Sequence, residues 1–206
     1  MFNCLRTLRP LKPCNLILLH LCACFLCFSS LVALAQTGQN KATPVSHIKV
    51  APGFKVELLY SVPAKDQGSW VNLCVDNKGR ILVSDQFGGL YRMAAPALGA
   101  PLEPTSIEAV PAPIRAVNGM VWAFGALYVG VNDYEQKISS GLYRLTDSTG
   151  DDQLDKVELL REVKSRGDHG VHAVVPTPDG QSLFLITGNN SKPPIISPTS
   201  PVTQVW

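Results

Sequence analysis

Cysteine is nearly missing from most of this 206-residue chain: Cys4, Cys14, Cys22, Cys24 and Cys27 fall before residue 36, leaving Cys74 alone. One cysteine makes no intramolecular disulfide, so the rest of the fold must stand on its hydrophobic core. Cys74 itself lies inside a strand-like apolar alternation, which reads as a small buried hydrophobe rather than a nucleophile. An excess of charge of one sign is missing too. With Arg6, Arg9 and Lys12 set aside, because they precede an apolar run, 15 basic residues face 16 acidic ones. That balance leaves no electrostatic footprint for nucleic acid or an acidic substrate. No P-loop, Ser-His-Asp order or zinc-ligand spacing is visible, and no C-x-x-C-H follows residue 36. Disorder is excluded by a 46% hydrophobic and 17% charged composition.

What is present begins with a targeting segment over residues 1–35. Its basic start leads into the apolar stretch Leu16–Ala35, and Ala33-Leu34-Ala35 supplies a small-x-small cleavage pattern before Gln36. Cleavage there gives an exported, periplasmic or extracellular protein. An uncleaved anchor is the other reading, since about 20 apolar residues span a bilayer, and the leader is then the chain's only membrane contact. Residues 36–45 read as a linker, and 46–206 as the folded part.

That part repeats. Gly89-Leu90-Tyr91-Arg92 recurs unchanged as Gly141-Leu142-Tyr143-Arg144. Apolar runs lie upstream of both copies, at 81–85 and 127–131, and a third run covers 183–187. Each run is preceded by another strand-like segment, at 70–76, 118–124 and 169–175. Asn77-Lys78-Gly79, Gly125 and Pro178-Asp179-Gly180 supply hairpin turns between them. Each unit reads as four short antiparallel strands, most clearly 118–124, 126–133, 141–147 and 156–164. The last of these fits either a helical or a strand period. Residues 54–62 add a stray outer strand. Four-stranded units at a period of about 45–55 residues are the signature of a β-propeller. The fold expected is therefore all-β: about two and a half blades of a propeller that needs at least four. The chain then reads as the N-terminal part of a longer protein. Tyr91, Tyr143, Trp122 and Phe124 read as core between blades.

Gly68-Ser69-Trp70-Val71, residues 84–92, residues 141–155 and Asp168-His169-Gly170-Val171-His172-Ala173-Val174-Val175 resemble a family of exported bacterial propeller proteins. These are the membrane-bound dehydrogenases commonly fused to a c-type haem domain, distantly related to the pyrroloquinoline-quinone (PQQ) glucose/sorbosone dehydrogenases. The resemblance implies oxidation of a sugar, polyol or alcohol, with electrons passing to PQQ and then to a cytochrome or haem domain. Any haem c would be held by a domain beyond Trp206. A propeller that only binds a carbohydrate or protein partner is the alternative.

His169 is the leading candidate for chemistry. It is expected at the start of an innermost strand, and the resemblance gives such a histidine the role of removing the substrate hydroxyl proton. A base of near-neutral pKa within hydrogen-bond reach is what that step needs. Asp168 is expected to orient the ring. His172 should face away from His169 in an extended strand unless a bulge intervenes. Satisfying loop backbone groups is the other reading of both histidines. Asp85 and Gln86, with Asn132–Asp133 and Asn189–Asn190 as their counterparts, read as a polar ring at one mouth or as ordinary turn residues. Gln86 resembles a substrate-contacting glutamine. Asp147, Thr149, Asp151, Gln153, Asp155 and Glu158 have the oxygen-donor spacing of a calcium loop, although Thr149 and Asp152 depart from the pattern and a solvated acidic turn is the other reading.

Overall fold

The computed structural model describes residues 42–100, 106–165 and 167–192. The leader and the proline-rich stretch 193–201 lie outside them. Among the described residues, ten strands form three antiparallel sheets. The first is a four-stranded meander of β1 (Trp70–Val75), β2 (Ile81–Asp85), β3 (Leu90–Met93) and β4 (Ile107–Val110). A second meander repeats it with β5 (Val117–Ala123), β6 (Ala126–Val131), β7 (Gly141–Thr146) and β8 (Lys156–Glu162). The third sheet is a hairpin of β9 (Val171–Pro176) and β10 (Leu183–Thr187). Pairing with β7 makes the ambiguous 156–162 segment a strand. Helix is limited, among the described residues, to a 3₁₀ turn at Val45–His47 and the short α1 (Ala64–Gln67).

Turn chemistry sets the hairpins. At β1–β2, Asp76 Oδ1 accepts from the amides of Lys78 and Arg80 at 2.9 and 2.8 Å, and Gly79 takes φ +77°. At β5–β6, Phe124 and Gly125 both have positive φ, the geometry of a two-residue primed turn. That turn holds Phe124 out in solvent, not in the core as its apolar ring suggested. Residues 54–62 form no strand. They cross the face of the first sheet, where Tyr60 stacks on Trp70 at a centroid distance of 5.4 Å and joins Tyr91, Val83 and Met93.

One irregularity recurs three times. The register of β1 against β2 skips Val71, that of β5 against β6 skips Asn118, and that of β9 against β10 skips His172. Each first strand thus carries a one-residue bulge directly after its opening residue. Aligning the sheets on this bulge makes Asn72, Gly119 and Ala173 equivalent, and likewise Leu73, Met120 and Val174.

The stacking follows the same alignment. Cys74 and Leu82 of the first sheet pack on Met120, Trp122, Leu127 and Val129 of the second. The opposite face of the second sheet, with Val121, Ala123 and Tyr128, receives Val174, Leu183 and Leu185. All six residues of β6 are consequently buried. Of these, Leu127, Val129 and Val131 contribute roughly 1.5–3 kcal/mol each on full burial. Glycine makes the second contact possible: a Cβ on Gly119 would stand 2.0 Å from the carbonyl oxygen of His172.

Candidate functional site

The loop leading into each first strand is tied to the loop leaving each second strand by the same hydrogen bond. Gln86 N donates to Ser69 O at 2.8 Å, Asn132 N to Ala116 O at 2.9 Å, and Gly188 N to Gly170 O at 2.7 Å. These bonds gather the polar loops of all three sheets at one end. Gln86, Asn132 and Gly188 are therefore the residues in register. Asp133 and Asn189–Asn190 follow one or two places later, so the expected equivalence with Asp85–Gln86 is shifted.

Most carboxylates and amides at this end hold the loops together. Asp85 Oδ1 accepts from the amides of Ser69 and Phe87 at 3.0 and 3.2 Å. Its carboxylate fills the space that a Cβ on Gly68 or Gly88 would need. Asn132 is buried, donates to Gly167 O at 3.0 Å and accepts from Ser165 Oγ at 3.2 Å. Asp133, also buried, accepts from three loop amides and from Arg115 Nη1. Arg115 further donates to Phe87 O at 2.8 Å, bridging the first and second meanders.

His169 sits in a turn two residues before β9 rather than at the start of the strand. Gly167, at φ +70°, opens that turn. The His169 side chain is exposed, and its Nδ1 lies 2.9 Å from Asn189 Oδ1; an amide oxygen only accepts, so this contact calls for a proton on Nδ1. The backbone repeats the link, since Asn190 N donates to His169 O at 3.0 Å. Asp168 does not orient this ring. Its charge acts instead on Tyr134, whose phenol is pushed up first by burial and then by Asp168. Tyr134 in turn meets Phe87 edge-on at 5.9 Å. His172 occupies the β9 bulge, exposed at its side chain and packed on Gly119 through its carbonyl. Asp168, His169 and Asn189 thus come together, with Tyr134, Phe87 and Arg115 beside them. The sequence reading missed Tyr134 and Arg115; the signal available was an aromatic and a cation in the loops flanking β5 and β6.

A polar groove of about 860 Å³ opens alongside, lined by Lys137, Ser139, Ser140, Lys164, Ser165 and Asn190 among others. Of the lysines that line this groove, Lys137 pairs with Glu135 and Lys164 with Glu162, while Lys192 has no ion pair among the described residues.

The Asp147–Asp155 loop joins β7 to β8 and lies at the other end, against the β1–β2 turn. Asp147 accepts from the amides of Thr149, Gly150 and Asp152. Burial works against its ionisation, but those amides hold its carboxyl below the usual range. Asp155 accepts from Ser148 N at 2.8 Å, and Glu158 pairs with Arg144 at 2.6 Å. Asp151 Oδ1 accepts from Gln153 N, and Thr149 makes its bond through its amide. Asp152 is seized by Arg80 and Lys78, which hold its carboxyl far below the usual range. Asp147, Asp151, Asp155 and Glu158 are engaged separately, Thr149 and Gln153 bond through their backbone amides, and no group of three or more His, Cys, Asp or Glu side chains suited to a metal occurs among the described residues.

Cys74 is half-buried in the first sheet, and burial pushes its thiol up to about 12. A thiol so rarely ionised is no nucleophile. No protein-family model, curated protein or solved structure matches this chain.

Proposed function

We propose that this chain forms part of an exported β-propeller that oxidises a sugar, polyol or alcohol, with His169 accepting the proton of the substrate hydroxyl. The observation that carries the reading is the His169–Asn189 pair. The ring is exposed, its Nδ1 is engaged at 2.9 Å, and Nε2 has no partner among the described residues. A neutral imidazole so held presents a lone pair outward, as a general base must. Dehydrogenation removes that proton together with a hydride from the adjacent carbon, and the hydride passes to an acceptor outside the described residues. PQQ, a haem domain or a cytochrome are the acceptors that the family resemblance suggests. The repeated meander, the threefold bulge and the serial stacking of first strands support a propeller arrangement. The groove of about 860 Å³ reaches this turn through Asn190, whose amide bonds His169 O; it has the size of a small-molecule site, and its hydroxyl, amide and ammonium groups suit a polyol.

A second reading is a polyol-binding propeller without redox chemistry. It is favoured by the partner of the His169 ring, which is the neutral amide of Asn189 and not the Asp168 carboxylate. Dye-linked oxidation of a panel of sugars, polyols and alcohols by the exported protein, run beside calorimetric titration with the same compounds, separates the two. Turnover supports the dehydrogenase. Saturable binding without turnover, with and without added quinone, overturns it in favour of the binding module.

A further inference from the structure

Phe87, in the loop that leaves β2, is 51% exposed and belongs to no hydrophobic core cluster among the described residues. Its backbone is nevertheless held at both polar groups. The amide donates to Asp85 Oδ1 at 3.2 Å, and the carbonyl accepts from Arg115 Nη2 at 2.8 Å. Arg115 also pairs with Asp133 and Glu135, the two chain neighbours of Tyr134. One guanidinium thus fixes the loop carrying Phe87 against the loop carrying Tyr134. These contacts put Phe87 between the first and second sheets, away from either end of the stack. The two rings meet at a centroid distance of 5.9 Å and an interplanar angle of 63°. An edge-on contact covers at most one face of Phe87, so another stays open. Beyond Tyr134 comes Asp168, whose charge acts on the phenol, and then His169. The order across this end of the sheets is therefore Phe87, Tyr134, Asp168, His169.

We propose that the open face of Phe87 is a sugar subsite, on which the remote pyranose ring of a di- or oligosaccharide stacks while the reacting end lies at His169. The C–H bonds on one face of a pyranose carry partial positive charge and the face of an aromatic ring is negative, so the two attract without a charged group. Stacking on a ring whose backbone is already fixed costs little ordering. Tyr134 stands between Phe87 and the His169 turn, so a pyranose on Phe87 lies a side chain's length short of the histidine. A second sugar residue bridges that length. Open-chain polyols and simple alcohols have no such rigid apolar face and gain nothing from Phe87. The inference rests on the reading of His169 as the reactive position and names the substrate class that position serves.

Calorimetric titration of the expressed protein with glucose and galactose, then with cellobiose, maltose and lactose, tests the subsite. The same titrations are run on Phe87→Ala and Phe87→Tyr, with circular dichroism as the check on folding. At least one disaccharide should bind the parent more tightly than the monosaccharides do. Phe87→Ala should weaken that disaccharide by about five- to tenfold while the monosaccharides stay within about twofold, and Phe87→Tyr should retain parental binding. Disaccharides that bind no tighter than monosaccharides, or that bind Phe87→Ala as they bind the parent, overturn the subsite. So does an equal loss of mono- and disaccharides in Phe87→Ala. A parent that binds none of these sugars also overturns it, whereas the reading of His169 fails only if polyols and alcohols are not oxidised either. Where Phe87→Ala unfolds, Phe87→Leu, apolar but without an aromatic face, takes its place under the same criteria.

Discussion

Arg80 and Asp152 stand 72 residues apart in the chain, yet Nη2 of the arginine lies 2.9 Å from Oδ1 of the aspartate, and Nη1 reaches the other carboxylate oxygen. Arg80 Nε binds Asp76 at 2.7 Å, and Arg92 Nη1 donates to the Asp152 carbonyl at 2.7 Å. The first meander thereby grips the β7–β8 loop of the second. Asp152 takes φ +70° to make this grip, a left-handed conformation that costs most non-glycine residues energy.

Asp152→Asn keeps a residue tolerant of that backbone and removes the charge. Because the pair is partly exposed, the loss at neutral pH is roughly 1 kcal/mol, or about 2–4 °C in thermal midpoint. The pH dependence has a definite sign. Asp152 is depressed in the fold, chiefly by Arg80 and then Lys78, so its contribution is present above the ordinary carboxylate range and is lost as pH falls below about 4. Midpoints of parent and variant should converge on acidification. A gap that stays constant down to pH 2 contradicts the clasp.

Calcium should leave the protein unchanged, because the loop's carboxylates are already held by amides and cations. Thermal midpoints measured with millimolar calcium and with chelator should coincide. A calcium-dependent rise would mean that the loop rearranges to bind it.

Gly119 and Gly130 face the hairpin but differ in what a methyl group would meet. At Gly119 it collides with the His172 carbonyl oxygen at 2.0 Å, whereas at Gly130 it meets the Val171 methyl at 3.0 Å. Backbone gives way less than a side chain. Gly119→Ala should lower stability by about 1–3 kcal/mol, and Gly130→Ala by less, in urea unfolding monitored by circular dichroism. Equal losses would argue against the tight β5–β9 approach.

For the leader, the pattern ending at Ala35 predicts a mature N-terminus at Gln36. Intact mass of the exported protein checks this. A mass that retains residues 1–35, with membrane fractionation, makes the segment an anchor.

The two meanders and the hairpin were legible because strand alternation and turn residues are local signals: Leu90–Arg92 and Gly141–Arg144 both open a third strand. Three features were not. The bulges at Val71, Asn118 and His172 add a residue without altering the apolar pattern that marks the strand. Phe124 looked like core because hydrophobicity alone cannot report a positive φ in a two-residue turn. The partner of His169 was misjudged because proximity in sequence favoured Asp168, whereas the chain turns at Gly170 and brings Asn189, from beyond β10, against the ring. Tyr134 escaped for the same reason, being a loop aromatic whose partner is 34 residues away.

His169 carries the functional account, and its replacement in the expressed protein tests that account most directly. His169→Gln retains size and some hydrogen bonding but supplies no proton acceptor of suitable pKa. General-base catalysis is worth roughly 10²–10⁴-fold, so kcat for dye-linked polyol or sugar oxidation should fall by about that factor while the thermal midpoint stays within about a degree. His172→Gln, on the β9 bulge, should lose far less. A His169→Gln protein with a lowered midpoint and undiminished activity per folded molecule would contradict the account, leaving His169 as a turn residue held by Asn189.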